Sequence, residues 1–326
     1  MKLAIIILNW NGIEVLPKFL PSVVNSVSGS PYDADDVRLI VADNGSADGS
    51  VEWLRTNYPD IQLIEFPENY GFAGGYDQAI RLVDAEYVLL LNSDVETPRG
   101  WWQPLLRFME ETPQAGAVQP KILSYREKSK FEHAGAAGGL IDSLGYPYCR
   151  GRVLSKVEYD NGQYDSDKPV ETAWVSGAAM LVRTKAYFEA GGLDPLFFAH
   201  MEEIDLCWRM RLKGYKVYAT SNSTVFHYGG GALPYGNPRK TYLNFRNNLL
   251  MLYKNLPRKD GARFLLKRRL ADTLAFILFL GKGEWGNAKA VVKAHNDFRR
   301  MRKNYTEFPE RNTFKELPGT NKSIIL

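Results

Sequence analysis

Short apolar runs alternate with longer amphipathic stretches over the first 121 residues of the chain. Short apolar runs predict strands, and apolar positions that recur every three or four residues predict helices. The predicted strands are Leu3–Leu8, Val37–Ala42, Ile61–Phe66, Tyr87–Leu91 and Gly116–Val118, and the predicted helices are Leu16–Ser26, Ser50–Tyr58, Gly75–Asp84 and Trp101–Glu111. This alternation predicts an α/β fold, with a mostly parallel, Rossmann-like central sheet flanked by helices and right-handed crossovers.

The alternation breaks after residue 121. Residues 122–172 carry Gly, Tyr, Lys and Asp in irregular order, which predicts long loops or a small hairpin subdomain. Further strands are predicted at Ala178–Val182 and Lys216–Ala219, and further helices at Lys185–Ala190, Ile204–Lys213, Tyr242–Tyr253, Ala262–Leu280 and Ala288–Lys303. Because only helices are predicted after Pro238, we expect an α/β body over residues 1–237 and a helical, basic region over residues 238–326.

Basic residues are concentrated in that last region. The net charge is +4, but residues 254–303 hold fourteen Lys or Arg against four Asp or Glu. This imbalance indicates an acidic body and a basic tail, and we expect no nucleic-acid partner. The helix predicted at Ala262–Leu280 is apolar with a basic flank, yet its uninterrupted apolar run is well below the roughly 20 residues of a spanning helix. It fits a peripheral helix on anionic lipid, and it fits a helical cap or an oligomer interface, such as that of a homodimer, equally well.

The cysteines and the N-terminus indicate a compartment. Cys149 and Cys207 are far apart and form no CxxC pattern, so neither a disulfide framework nor a zinc site is predicted. The apolar run Leu3–Leu8 is shorter than the core of a signal peptide. We therefore expect a cytoplasmic protein, with the inner face of the cell membrane as a further location.

Polar clusters follow two of the predicted strands. Asp43 opens the run Asp-Asn-Gly-Ser-Ala-Asp-Gly-Ser, which could accept a base imide proton but is equally typical of a turn and a helix N-cap. Asn92-Ser93-Asp94 ends a strand that reads as buried on both faces. Hard oxygen ligands there could hold Mg²⁺ or Mn²⁺ against a phosphate, whereas the structural alternative is that Asp94 caps the next turn.

Three more segments are candidates for chemistry. Asn69 to Gly75 is a glycine-rich turn that could bring backbone amides to a phosphate, although its spacing is not that of a dinucleotide fingerprint. Glu202, Glu203 and Asp205 lie at the start of a predicted helix, where acids also favour the helix dipole and Asp205 can pair with Arg209. His227 precedes a run of glycines and could bind a metal or a phosphate or be structural.

Taken in order, these segments resemble the family 2 glycosyltransferases, specifically the bacterial rhamnosyltransferase-like members with the GT-A fold. The motifs are Asn9-Trp10-Asn11, Asp43 to Ser50, Asn69 to Gly75, Asn92-Ser93-Asp94, Ser176-Gly177, Glu202 to Arg209 and His227. The resemblance covers about residues 1–250. It implies a metal-dependent, inverting transfer of a sugar from a nucleoside diphosphate donor to a hydroxyl on a glycan or lipid-linked glycan.

The resemblance also implies residue roles. Asp43 would recognise the base, Asn92-Ser93-Asp94 would stand where the family has its DXD motif, and Asp94 would bind Mg²⁺ or Mn²⁺. His227 would complete the metal shell or lie near the diphosphate. Glu203 would be the catalytic base, with Glu202 and Asp205 as alternatives. The residues expected to bind the nucleotide sugar are Asn9, Asn11, Asp43, Gly71, Gly74, Asn92, Ser93, Asp94, Gly177 and Arg209.

Two departures from the family pattern limit what is carried over. Tyr76 and Asp77 replace an Asn-Asn pair, so donor-sugar contacts there are not transferred, and Glu203 replaces the commoner Asp. A catalytically silent nucleotide-sugar or glycan-binding protein of the same fold is the main alternative, although three acids in a site would serve a pure binder poorly. A nucleotidyltransferase is disfavoured, because no basic residue follows the first strand.

Overall fold

The computed structural model describes residues 1–28, 36–132, 135–154, 156–229 and 236–324. The first part of the chain forms β1 (Leu3–Asn9), α1 (Leu16–Val27), β2 (Val37–Asp43), α2 (Ser50–Asn57), β3 (Gln62–Glu65), α3 (Gly71–Arg81), β4 (Tyr87–Asn92), β5 (Val95–Glu96), α4 (Gln103–Glu111) and β6 (Ala115–Ser124). The middle part forms β7 (Gly139–Ile141), β8 (Pro147–Cys149), β9 (Arg152–Val153), β10 (Lys156–Val157), β11 (Val170–Thr172), β12 (Ala179–Arg183), α5 (Thr184–Glu189), α6 (Glu202–Leu212) and β13 (Lys216–His227). The last part forms α7 (Pro238–Asn255), α8 (Arg258–Gly281) and α9 (Trp285–Met301).

The central sheet has the order β11-β13-β6-β12-β4-β1-β2-β3, and β5 pairs with β13. Strands β3, β2, β1 and β4 are parallel neighbours, as are β6 and β13, whereas β12 runs antiparallel between β4 and β6. The prediction of a mostly parallel α/β sheet is confirmed. The carboxyl ends of β1, β2, β4 and β13 therefore lie at one edge, and β12 begins there because it runs the opposite way.

Apolar side chains cover both faces of this sheet. One core packs α1, α2 and α4 against the sheet, with Leu20, Leu54 and Leu105 buried in it. The other packs α3, α5, α6 and α7 on the opposite face. Strand β4 is buried on both faces up to Leu91. A strand buried in this way consists of a continuous run of apolar residues, so the sequence predicts it correctly.

Residues 139–157 form a second, antiparallel sheet with the order β10-β9-β8-β7. It is the small hairpin subdomain that was one of the two predictions for residues 122–172. Most other differences from prediction concern lengths. Strands β6 and β13 extend through Ser124 and His227, because their pairing continues past polar stretches at residues 119–121 and 220–224 that interrupt the apolar pattern. Helix α6 begins at Glu202, two residues before the predicted start, so the acids lie in its first turn.

The helices α7, α8 and α9 confirm the prediction of a helical C-terminal region. No helix among the described residues is long and apolar enough to cross a membrane. The boundary predicted between residues 237 and 238 stays a prediction. Side chains of α7 cross it, because Asn255 donates to Asp205 and Lys254 pairs with Asp194 in the body.

Candidate active site

Asp43, at the carboxyl end of β2, lies in a cluster of hydrogen bonds that we call the donor cluster (Asn9, Asp43, Ser46 and Ser50). Asn9 Nδ2 donates to Asp43 Oδ1 at 2.8 Å and lies 2.9 Å from Ser50 Oγ and 3.2 Å from Ser46 Oγ. The backbone N–H of Ser46 donates to the other Asp43 oxygen at 2.9 Å. Asp43 is 3% exposed and Asn9 is 0% exposed. Asn9 therefore holds Asp43 in position, and the contact between Asn9 and a nucleotide sugar stays a prediction.

The turns that follow β1 and β2 are joined to each other. Asn11 has a positive φ of 50°, and its Oδ1 accepts the backbone N–H of Ala47 at 2.9 Å. The backbone N–H of Asn11 donates to Ser46 Oγ at 2.9 Å. Asn11 thus keeps its predicted position at the edge of the site, where it shapes the loop beside the exposed ring of Trp10.

Asn44 organises the neighbouring glycine turn, although the sequence analysis gave it no role. Its buried side chain donates to Asn69 Oδ1 at 3.1 Å and to the Gly71 carbonyl at 3.0 Å, and it accepts the Tyr70 N–H at 3.0 Å. A polar residue inside a turn motif is the signal that could have identified it. The turn therefore gets its shape from the end of β2.

Two glycines of this turn permit close contacts. Gly71 has a φ of 72°, and a Cβ there would lie 2.6 Å from the Phe198 carbonyl oxygen. At Gly74 a Cβ would meet Tyr70 at 3.1 Å. The backbone N–H of Ala73 donates to Phe198 O at 3.1 Å. The N-terminus of α3 thus meets the chain that leads into α6.

The departures Tyr76 and Asp77 have structural roles. Tyr76 is fully buried and its hydroxyl donates to the Leu91 carbonyl at 2.8 Å. Asp77 accepts the Tyr187 hydroxyl at 2.8 Å and pairs with Arg81 at 2.8 Å. Both side chains therefore anchor α3 to the body rather than extend toward a ligand.

Asp94 follows β4 and lies against the end of β13. Its Oδ1 is 3.0 Å from His227 Nε2, and its Oδ2 accepts the Gly229 N–H at 3.2 Å. His227 Nδ1 is 3.4 Å from a Glu132 oxygen, and Asn92 Nδ2 is 3.4 Å from His227 Nε2. Burial disfavours the imidazolium, but the charge of Asp94, its hydrogen bond and Glu132 outweigh burial and raise the pKa of His227 to about 10. Burial likewise opposes the charged form of Asp94, but His227 keeps its pKa below the usual range.

These contacts decide how a metal would fit. Among the residues that the structure describes, no group of three or more His, Cys, Asp or Glu is arranged to hold a metal ion. Mg²⁺ is often bound through one or two carboxylates and takes its other ligands from substrate phosphates and water. Asp94 fits that mode as a single carboxylate. The ligand role of His227 stays a prediction, and it would require the imidazole to leave a carboxylate, because both of its nitrogens face one.

Gly177 connects this strand end to the acids of α6. The backbone N–H of Asn92 donates to Ala178 O at 3.0 Å, so the start of β12 lies beside the end of β4 and Ser93. A Cβ at Gly177 would lie 3.9 Å from the Cβ of Glu203. The structure therefore brings Asn92, Gly177 and Glu203 to one place, as predicted from motifs far apart in the sequence.

Glu202 and Glu203, which we call the acid pair, differ from Asp43, whose two carboxylate oxygens both accept hydrogen bonds. Oε2 of each has no hydrogen-bond partner among the described residues. Burial raises the pKa of Glu203 to about 7. Burial and the charge of Glu203 also raise the pKa of Glu202 well above its usual value. A carboxylate with a pKa near neutrality suits a general base, because it can be unprotonated at pH 7 and still accept a proton strongly.

The acid pair follows a strained turn. Phe198, His200 and Met201 have φ values of 65°, 70° and 73°, a region that side chains with a Cβ rarely adopt. The buried Asn247 of α7 holds this turn, because its Nδ2 lies 2.9 Å from Phe197 O, 2.8 Å from Ala199 O and 2.7 Å from His200 O. Asn247 could not be identified from the sequence, since an Asn within a helical pattern carries no local signal.

Asp205 and Arg209 have another environment. Asp205 is 0% exposed, and its oxygens accept from Asn255 at 2.7 Å, from Arg209 at 2.8 Å and from Lys254 at 3.1 Å. Burial raises the pKa of Asp205, but the charges of Arg209 and Lys254 outweigh burial and keep this pKa below its usual range. Asp205 therefore anchors α6 to α7, with Arg209 as one of its partners. The role of Asp205 as an alternative base and that of Arg209 as a contact for the nucleotide sugar stay predictions.

The family model for "Glycosyl transferase family 2" matches residues 4–170, which hold the donor cluster, the glycine turn and Asp94. The chain belongs to this family. Family 2 membership confirms the resemblance seen in the sequence. The rhamnosyltransferase-like assignment is confirmed as well, because curated relatives are rhamnosyltransferases.

Three relatives illustrate the similarity. An "N-acetylglucosaminyl-diphospho-decaprenol L-rhamnosyltransferase" of Mycobacterium tuberculosis is 28% identical over 59% of this chain and 66% of its own length. The "Low-salt glycan biosynthesis hexosyltransferase Agl10" of Haloferax volcanii is 26% identical over 76% of this chain and 74% of its own. The "Rhamnosyltransferase WbbL" of Escherichia coli K12 is 23% identical over 60% of this chain and 74% of its own. The chain thus spans just under two thirds of the mycobacterial relative.

Solved structures confirm the GT-A fold. S. aureus TarS 1-349 in complex with UDP-GlcNAc has a TM-score of 0.58 at 16% identity, over 91% of this chain and 80% of that one. The mannosyltransferase PcManGT from Pyrobaculum calidifontis, in complex with GDP-Man and Mn²⁺, has a TM-score of 0.53 at 13% identity, over 91% and 87%.

Proposed function

We propose that this family 2 protein transfers a sugar from a nucleoside diphosphate sugar to a hydroxyl group on a glycan or lipid-linked glycan, with inversion at the anomeric carbon. The observation that carries the proposal is the acid pair: Glu203 lies beside Gly177 with an unpaired oxygen and a pKa of about 7. Such a group can take the proton of an acceptor hydroxyl at neutral pH.

The reaction needs one displacement. Glu203 accepts the proton as the acceptor oxygen forms its bond to the anomeric carbon, and the bond from that carbon to the diphosphate oxygen breaks. The nucleoside diphosphate leaves with the electron pair. A single displacement inverts the anomeric centre and needs no covalent enzyme intermediate.

The donor would lie along the carboxyl edge of the sheet. Asp43, held by Asn9 and Ser46 at the end of β2, would accept a hydrogen bond from the base. Gly71 and Gly74 would let the backbone at the start of α3 approach the diphosphate, although the N–H groups of Gly71 and Ala73 already donate to Asn69 Oδ1 and Phe198 O. A Mg²⁺ or Mn²⁺ ion, when bound at Asp94, supplies charge stabilisation for the diphosphate.

The comparisons support this donor and acceptor chemistry. The name of the mycobacterial relative specifies a lipid-linked acceptor, and the solved structures hold UDP-GlcNAc or GDP-Man with Mn²⁺. We therefore infer that the acceptor is a glycan or a lipid-linked glycan and that the reaction uses a divalent metal. We also infer that the protein acts in the cytoplasm or at the inner face of the cell membrane. The homodimer stays a prediction.

A donor screen tests the proposal. The purified chain is incubated with UDP-, GDP- and TDP-linked sugars and Mg²⁺ or Mn²⁺, and release of nucleoside diphosphate is measured with and without acceptor glycans. We expect release from one donor that increases with acceptor and stops with a chelator, and a product of inverted anomeric configuration by NMR. Tight donor binding without release under any combination would instead support the catalytically silent binding protein.

A further inference from the structure

The outer side of α8 carries apolar side chains that the rest of the chain leaves uncovered. Leu266, Leu270, Leu274, Ile277 and Leu278 are 65%, 70%, 46%, 56% and 56% exposed. At about 100° of rotation per residue, these five positions fall within an arc of about 120°. We call this surface the leucine face (Leu266, Leu270, Leu274, Ile277 and Leu278).

The opposite side of α8 fixes the direction of that face. Phe264 packs against Phe314 with ring centroids 4.7 Å apart. Arg268 and Asp272 form a buried ion pair at 2.9 Å, and Asp272 also accepts the Tyr146 hydroxyl at 2.7 Å. Because these contacts fix how α8 is rotated about its own axis, the leucine face stays on the outer side of the helix.

Positive charge accompanies the leucine face. Arg258, Lys259, Arg263, Lys267 and Arg269 are exposed on the same helix, and none of them pairs with an acid among the described residues. The only acids of α8 are Asp260 and Asp272, and Asp272 is buried. Arg263 and Lys267 lie within the same arc, and Arg269 lies about 60° outside it. The exposed Trp285 follows the end of α8, and an aromatic ring of this kind suits the headgroup level of a membrane.

We propose that the leucine face is a docking surface for an anionic phospholipid membrane, with its side chains inserted at the headgroup boundary and the surrounding cations against lipid phosphates. Apolar side chains bordered by basic ones are the composition that such interfacial helices use. A second copy of this chain fits less well, because its own basic helix would repel this one. The inference goes beyond the proposed function and does not depend on it.

Vesicle sedimentation with the full chain tests the surface. The probes are vesicles of phosphatidylcholine alone and vesicles of phosphatidylcholine with phosphatidylglycerol. We compare the wild type with Leu270→Gln/Leu274→Gln, with Arg263→Glu/Lys267→Glu, and with Leu82→Gln, a control at a leucine that is 64% exposed and follows the end of α3.

We expect binding to the anionic vesicles only, weakened by salt. Each double variant should bind at least roughly ten-fold more weakly, and Leu82→Gln should be unchanged. Equal binding of the leucine variant and the wild type would overturn the proposal. So would a wild-type dimer in light scattering that dissociates in the leucine variant while vesicle binding is unaffected. Nucleoside diphosphate release by the same variants in detergent separates this test from that of the proposed function, since docking variants should keep full release.

Discussion

Asp43 and the acid pair are carboxylates withdrawn from bulk solvent at the same sheet edge, yet their surroundings differ. Both oxygens of Asp43 already accept hydrogen bonds, from Asn9 and from the backbone of Ser46. Glu202 and Glu203 each keep an oxygen without a partner among the described residues. A carboxylate that is held in place can present a fixed acceptor to a ligand. A carboxylate that has an unpaired oxygen and a raised pKa can instead exchange a proton. Asp43 is therefore suited to binding a ligand, and the acid pair is suited to chemistry.

Glu203→Gln is the strongest test of the difference between Asp43 and the acid pair. The amide keeps the size of the side chain but cannot accept the acceptor's proton, so kcat should fall roughly 10²–10⁴-fold. Donor affinity, measured by calorimetry, should change little. Glu202→Gln is the matched variant on the same turn of α6. If Glu202→Gln abolishes transfer and Glu203→Gln does not, the base is Glu202.

Asp94→Asn tests the diphosphate side. Loss of the charge should reduce the metal-dependent part of donor affinity by roughly 10–100-fold, because a neutral amide is a poor ligand for Mg²⁺. Donor binding is titrated with and without Mg²⁺. Glu96→Gln, at a half-buried acid of β5 that pairs with Lys128, is the control and should leave metal dependence intact. Metal-dependent affinity that persists in Asp94→Asn would remove Asp94 from the metal site.

Asn247→Ala tests whether the strained turn positions the base. Without the side chain that contacts three carbonyls, the turn at Phe198 to Met201 should relax and displace Glu203, and kcat should fall roughly ten- to hundred-fold at nearly constant donor affinity. Asn248→Ala is the matched control, since the neighbouring buried Asn248 donates to Gly145 O in the hairpin subdomain instead. Equal losses of kcat in the two variants, or equal losses of melting temperature, would mean that Asn247 has only a general role in stability.

The pH dependence of kcat/KM is expected to be the smallest of these effects. Because Glu203 must be unprotonated to act as a base and its pKa is about 7, kcat/KM should be level above pH 7. It should fall about ten-fold per pH unit below that value. The profile is measured at saturating metal, with donor binding followed in parallel over the same range. A midpoint near pH 4 would indicate a solvated carboxylate as the base.

Local patterns predicted most of the elements that position the site. The apolar strands that end at Asn9, Asp43 and Asn92 could be read from the chain, because a buried parallel strand is marked by its own composition. The partners that hold the functional side chains could not. Asn44 and Asn247 act through carbonyls far along the chain, and the ion pairs of Asp205 with Arg209 and Lys254 depend on how α7 packs on α6. Such contacts depend on tertiary packing, which no local spacing records.

Helix α7 has a practical consequence for exchanging parts between relatives. The family match ends at residue 170, before the acid pair, and the predicted boundary at residue 237 lies before the helix that holds the turn of the acid pair. A chimera joined at either point would combine a native donor side with a foreign support for the base. The smallest portion that can be transplanted with its own base geometry therefore extends through Asn255.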